Sequence, residues 1–411
     1  MLEDFFTNGW VIARHRAGLF GVHIDGFAED LCSEGYRQQT VRFAIAVVRR
    51  FGRWMDGRDC RACDISEKAI AEFCRRQGRR SWIQHGGATA LRALLARLRR
   101  LGVAPVRVQP KGGFVERIER DFATYLRQER ALSPATLKHY CPVARLFMVE
   151  RFGAGPIDLA AFGAVDIHEF VLRRTRSYRS KHLQLILTAL RSFLRFLYLR
   201  GHIAVPLADH IPAVAGGRLS EIPKWLNAKA IERTLACCDR RSAIGQRDYA
   251  ILMLLARLGL RAGEIVSMEL ADIRWEAGEF SVCGKGQQRK RFPLLEDVGQ
   301  AVAAYLQNGR PRCRSQRVFL RTRAPYRGLG NSSSLDAIVR RAFSRAELDP
   351  PNKGAHVFRH SLATSMLQNG ATLTEIGQIL HHKSPNTTAI YAKVDLRGLR
   401  ALARPWPGDR A

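Results

Sequence analysis

The side chains of this 411-residue chain best suited to chemistry gather in its last third. Arg261 lies in the run Gly259-Leu260-Arg261-Ala262-Gly263-Glu264, and His356 and Arg359 lie in His356-Val357-Phe358-Arg359-His360. Further on, His382 stands nine residues ahead of Tyr391. Guanidinium groups can neutralise the charge that builds on an attacked phosphate, and a phenol can supply an oxygen nucleophile. Such a set suits a phosphodiester. Singly, each residue says little, because an arginine near a helix start is usually a solvated charge and a lone tyrosine usually packs. Order and spacing carry the reading.

These groups need elements to hold them. A helix is expected over 248–258, ending in the Gly259 turn, so that Arg261 opens the next helix beside free backbone N–H groups. Glu264 is read as the carboxylate that fixes Arg261 or its local structure. Two β-like runs, 280–283 and 289–294, are joined through Gly284-Lys285-Gly286 as a hairpin with a lysine at its tip. Arg289, Lys290 and Arg291 are rival cations there. His356 and Arg359, three apart, share a helix face behind the breaker cluster 350–354. Leu373, Ile376, Ile379 and Leu380 form an apolar stripe on a helix ending at His381-His382. A turn at Ser384-Pro385-Asn386 leads into the helix that presents Tyr391. His360 is read as structural.

Upstream, turn-rich segments divide the chain into blocks 1–107, 114–206 and 220–405. The first two read as all-helical bundles and loose copies. Phe27-Ala28, Thr40, Phe51-Gly52 and Leu101-Gly102 are echoed by Phe122-Ala123, Thr136, Phe152-Gly153 and Arg200-Gly201. Val41, Ile45, Val48 and Met55 mark a buried face in one, and Leu183, Ile186, Leu187, Leu190, Leu194 and Leu197 in the other. Arg42, Arg49, Arg50 and Arg53, and likewise Arg191 and Arg195, fall on the wet sides. Ser133 is expected to cap a helix whose first residue is Pro134. With the hairpin of the third block, the class is mainly α with a small β-sheet.

Lysine and arginine total 67 against 37 acidic residues, a net charge of +30. Arginine dominates, and its fork suits phosphate. The partner implied is a polyanion, nucleic acid first and an acidic membrane surface a distant second. No stretch reaches the roughly 20 apolar residues of a membrane span, and no secretory signal opens the chain. A cytoplasmic protein with nine reduced cysteines is expected. Cys60 and Cys63 form one C-x-x-C without a second pair, and are read as incidental thiols. No G-x-x-x-x-G-K-[ST] loop and no acidic cluster call for nucleotide or two-metal chemistry, so no cofactor is expected.

In order and spacing, Arg261, His356-x-x-Arg359 and His382 through Tyr391 resemble the catalytic domain of the tyrosine recombinases, the phage-integrase family. The second block, opening at Ala131-Leu132-Ser133-Pro134-Ala135-Thr136-Leu137, resembles that family's SAM-like core-binding domain, and the first block is read as a further module of that kind. The resemblance implies cutting and rejoining of double-stranded DNA. Tyr391 would attack phosphorus to leave a 3′-phosphotyrosyl bond, with Arg261 and Arg359 gripping the phosphate. His356 would hydrogen-bond that phosphate or assist proton transfer, His382 would complete the set, and Lys285 would protonate the leaving 5′ oxygen. His381 departs from the family, which usually has glycine there. Also implied are integration, excision or transposition of a mobile element near the nucleoid without metal or ATP. A homo- or hetero-tetramer on DNA would be coupled through a C-terminal helix bearing Leu396, Leu399 and Leu402. A type IB topoisomerase and a catalytically silent DNA-binding partner are the alternatives.

Overall fold

The computed structural model describes residues 1–77, 86–106, 113–153, 155–175, 178, 180–213, 223–284, 289–382 and 384–394. Lys285, Leu396, Leu399 and Leu402 fall outside them. The chain divides into two compact units, Met1–Arg107 with Ile222–Ala411, and Val108–Glu221.

The first block folds as α1 (Gly9–Arg16), α2 (Gly21–Ser33), α3 (Gln38–Asp56), α4 (Glu67–Arg76) and α5 (Ala88–Arg100). In α3 the apolar spacing of three and four does what it predicts, and Val41, Ile45, Val48 and Met55 are all buried. Phe51 centres this core, with its ring 5.9, 5.8 and 5.2 Å from those of Phe20, Trp54 and Phe73. Arg42, Arg50 and Arg53 lie exposed as expected, whereas Arg49 is half-buried. Beyond α2 the block meets the third block. The Glu34 carbonyl accepts the Tyr326 N–H at 2.9 Å, and the Glu34 carboxylate pairs with Arg327 at 2.6 Å. Gly35, at φ 84°, lies so close to the Tyr326 ring that a Cβ would stand 2.0 Å from it.

The second unit holds α6 (Phe114–Gln128), α7 (Pro134–Phe152), α8 (Ala164–Thr175) and α9 (Ser180–Leu199). Ser133 caps α7, its hydroxyl accepting the Thr136 N–H at 3.3 Å with Pro134 in the first position. All six stripe residues of α9 are buried. Arg195 is exposed, but Arg191 is not on the wet side: half-buried, it donates to the carbonyls of Ile211 and Pro212 at 3.1 and 3.5 Å. It fastens the chain leaving the bundle. The sequence echo between the blocks also marks unlike places. Gly153, at φ 57°, ends α7, whereas Gly52 is buried inside α3.

The third block packs around α11 (Ala243–Leu258), which follows α10 (Ala228–Ala236). Every residue from 250 to 256 is buried, the pattern of a helix enclosed on all sides. It starts five residues earlier than expected because Ser242 caps it, accepting the Gly245 N–H at 3.1 Å. After α12 (Ala262–Ser267) comes an antiparallel sheet ordered β1 (Ile273–Arg274), β2 (Glu279–Cys283), β3 (Arg289–Pro293). The hairpin pairs Phe280 with Phe292, whose rings stack 5.6 Å apart. There follow α13 (Glu296–Ala304), α14 (Ser332–Arg345), α15 (His356–Gln368), α16 (Leu373–Ile379) and α17 (Pro385–Thr388), and Tyr391 sits on a 3-10 turn over 389–394. The stripe on α16 is narrower than its spacing implied. Ile376 and Leu380 are buried, but Ile379 is 52% exposed, because Leu380, four residues on from Ile376, takes the inner position. Among the described residues no helix is long and apolar enough to cross a membrane.

Candidate active site

The site begins with the turn that ends α11. Gly259 adopts the left-handed conformation (φ 59°, ψ 27°), which brings its carbonyl to the guanidinium of Arg359 at 2.6 Å. A second carbonyl, that of Leu380 at the close of α16, accepts from the other terminal nitrogen. Arg359 is 2% exposed. Two of its five N–H directions are thus spent on backbone, and three remain for a ligand. Burial foremost, and then Arg261, pull its pKa down to about 10, so it stays charged at neutral pH.

Gly259→Ala is expected to cost about 1–2 kcal/mol for the left-handed residue alone. Further cost comes from displacing Leu380 and Leu362, whose methyls would lie 2.9 and 3.0 Å from the new Cβ. A lowered urea midpoint checks this, and an unchanged midpoint would contradict it.

Arg261 is held twice by the buried Glu264. Its own N–H donates to one carboxylate oxygen at 2.8 Å and its guanidinium to the other at 2.9 Å. The fixing role expected for Glu264 is therefore what the geometry gives. Arg261 keeps its side chain 34% exposed, at the mouth of the cluster.

His356 opens α15 and remains accessible, while Arg359, three residues on, points inward. The dense surround, with Arg359 and Arg261, lowers the His356 pKa and favours the neutral ring. His360, set aside in sequence as structural, instead lies against the nucleophile candidate: its Nδ1 is 3.0 Å from the Tyr391 hydroxyl. Its position four residues from His356, one turn along the same helix, was the clue available. Tyr391 is 1% exposed and packs with Ala363, Ile376 and Leu380. Burial pushes its pKa up to about 12, outweighing the pull of Arg359 and Arg261.

Of the adjacent imidazoles, His382 faces Tyr391, the rings nearly parallel at 7° and 6.5 Å apart. Its Nδ1 is fixed by the hydroxyl of Thr388 at 2.7 Å, a partner that sequence spacing did not single out. His381 turns to the sheet, edge-on to Phe292 at 4.7 Å, and its carbonyl accepts from Lys290 at 2.8 Å. It stands at φ 49°, a backbone that favours glycine. The other rivals to Lys285 lean away, Arg289 toward Asp272 and Arg291 toward Glu279. Arg261, His356, Arg359, His382 and Tyr391 thus converge, joined by His360; Lys285 lies outside the described residues.

Burial holds His360 and His382 down to about 4, with His356 and Arg359 adding to the first, Arg359, Arg261 and Lys290 to the second. The unfolded chain takes up these protons below the ordinary 6.5, whereas the folded chain resists until about 4. Their contribution to stability is therefore whole above 6.5 and lost as pH falls toward about 4. Melting temperature should fall across that window in the wild type, and less steeply in a His360→Gln, His382→Gln double variant. Equal slopes would refute it.

Among solved structures, the fold resembles that of the XerH site-specific recombinase in its post-cleavage complex with palindromic difH substrate. Identity is 20%, the TM-score is 0.55, and the match covers 70% of this chain and 84% of that one. The likeness is one of fold. In sequence, y4rA of Sinorhizobium fredii, provisionally designated an integrase/recombinase, is 41% identical over 99% of this chain and 100% of its own. The tyrosine recombinase XerD of Listeria monocytogenes is 30% identical over 67% of this chain and 93% of its own. The phage integrase family model matches residues 224–397, and that of the phage integrase N-terminal SAM-like domain matches 120–201. The chain belongs to the phage integrase family.

Proposed function

We propose that this protein cuts and rejoins double-stranded DNA at a specific site, through a 3′-phosphotyrosyl bond at Tyr391, to integrate, excise or transpose a mobile element. The observation that carries this is the buried Arg359, pinned by two carbonyls with N–H groups to spare, beside Arg261 and the Tyr391 hydroxyl. A phosphodiester resists attack because its anionic oxygens repel the nucleophile, and two fixed guanidiniums offset that charge. His356, accessible and neutral, hydrogen-bonds the phosphate. His360 is the nearest acceptor for the phenolic proton as the Tyr391 oxygen bonds to phosphorus. The bond from phosphorus to the 5′ oxygen breaks, and Lys285 protonates the leaving oxygen. The new ester conserves the energy of the old linkage, so rejoining by a 5′ hydroxyl draws on neither nucleotide nor metal.

In the resting state the Tyr391 hydroxyl is hydrogen-bonded to His360 on a residue only 1% exposed, so cleavage requires the site to open enough for phosphorus to reach that oxygen. Strand exchange needs two duplexes and hence several protomers, and a tetramer is the assembly proposed. A duplex nicked beside the scissile linkage tests the reading, because loss of the short 5′ fragment traps the covalent protein–DNA adduct. Junction formation between two duplexes then separates recombination from relaxation of one.

A further inference from the structure

The first block lies outside the residues matched by either family model, 120–201 and 224–397. Several of its described arginines find carboxylates. Arg16 pairs with Asp25 and Glu3, each at 2.9 Å, Arg58 with Glu72 at 3.0 Å, and Arg99 with Glu67 at 2.8 Å. Asp30 takes both Arg97 and Arg100, at 2.8 and 2.6 Å. One face instead gathers arginines around one another. There Arg14 of α1 meets Arg49, Arg50 and Arg53 of α3, and among the described residues no carboxylate pairs with Arg14, Arg49 or Arg53.

Arg49 is the centre of the group. It is half-buried, its Nε is enclosed without a hydrogen-bond partner, and the charges acting on it are the three other arginines. Beside it His15 is 5% exposed, its Nδ1 likewise unpartnered. At the edge Trp10 is 67% exposed, with the Arg14 guanidinium 5.1 Å from its ring. Gathering like charges around a half-desolvated guanidinium costs free energy, and the block has carboxylates that it places elsewhere. An anion with regularly spaced charges would offset that cost.

We propose that this face binds the phosphate backbone of duplex DNA, as a contact separate from the phosphodiester held at Arg261 and Arg359; it rests on the reading that duplex DNA is the partner. Forked guanidiniums suit phosphate oxygens, and an exposed indole can lie against sugar or a base edge. A membrane fits less well. Trp10 is the one large apolar side chain that α1 leaves exposed, whereas an interfacial helix needs a broad apolar face.

The test uses the full chain with a long random-sequence duplex. Replacing Arg14, Arg49 and Arg53 by glutamine should lower the slope of log affinity against log salt by roughly 3, at about 0.9 for each lost phosphate contact. In the wild type, mass spectrometry after arginine modification by a dicarbonyl reagent should find the three side chains protected by duplex, which keeps the test valid if the variant folds poorly. An unchanged slope, or modification that DNA does not alter, overturns the proposal. So does protection by phosphatidylserine vesicles but not by DNA. If such results come with a normal Tyr391 adduct on nicked substrate, the recombinase reading stands and only this contact fails. Wild type that neither binds duplex nor forms the adduct sinks both.

Discussion

Tyr391→Phe should form no covalent adduct with a nicked duplex while binding that duplex as the wild type does. The substitution removes one oxygen and leaves the ring among Ala363, Ile376 and Leu380. Its structural cost is one hydrogen bond, the 3.0 Å contact to His360, or about 0.5–1.5 kcal/mol net. The chemical cost is far larger. With no second hydroxyl held at that point, the rate should fall by roughly 10⁶, the scale found when a covalent enzyme loses its nucleophile. The readout is a gel of trapped adduct beside a binding isotherm. An adduct of undiminished yield would place the nucleophile elsewhere, and lost binding with a weakened fold would make position 391 a packing residue.

Arg359→Lys should cut the single-turnover cleavage rate by about 10²–10³ and also weaken the fold. A lysine carries one nitrogen, which cannot reach the carbonyls of Gly259 and Leu380 and still turn a fork toward phosphate. Two buried acceptors would compete for one ammonium, and charge-assisted bonds of this kind are worth about 1.5–3 kcal/mol each. Arg261→Lys makes the contrast. That side chain is 34% exposed and anchored by Glu264, so its loss should slow cleavage with little change in the urea midpoint. Wild-type cleavage by Arg359→Lys would refute the clamp. Equal destabilisation by both variants would refute the division of labour between a buried anchor and an exposed gripper.

Much of the fold was legible because it rests on local regularities. The buried faces of α3 and α9, the Ser133-Pro134 cap and the pairing of β2 with β3 follow from periodicity and turn chemistry over a few residues. Where local pattern misled, packing intervened, from a distant segment for Arg191 and from the adjacent residue for Ile379. Arg191 is drawn inward by the carbonyls of Ile211 and Pro212, and Ile379 is displaced from the core by Leu380.

The same division runs through the site. By itself the sequence determined which groups exist and in what order: two guanidiniums, four imidazoles and, after them, a phenol. Only the tertiary structure decided that His360 touches Tyr391, that His382 is fixed by Thr388 while His381 faces Phe292, and that Arg359 is spent partly on backbone. The reason is physical. The partners of Arg359 lie 100 and 21 residues away in the chain, beyond the reach of helical or strand periodicity. Protonation is settled there too, since burial, which exists only after folding, raises Tyr391 to about 12 and lowers His360 to about 4.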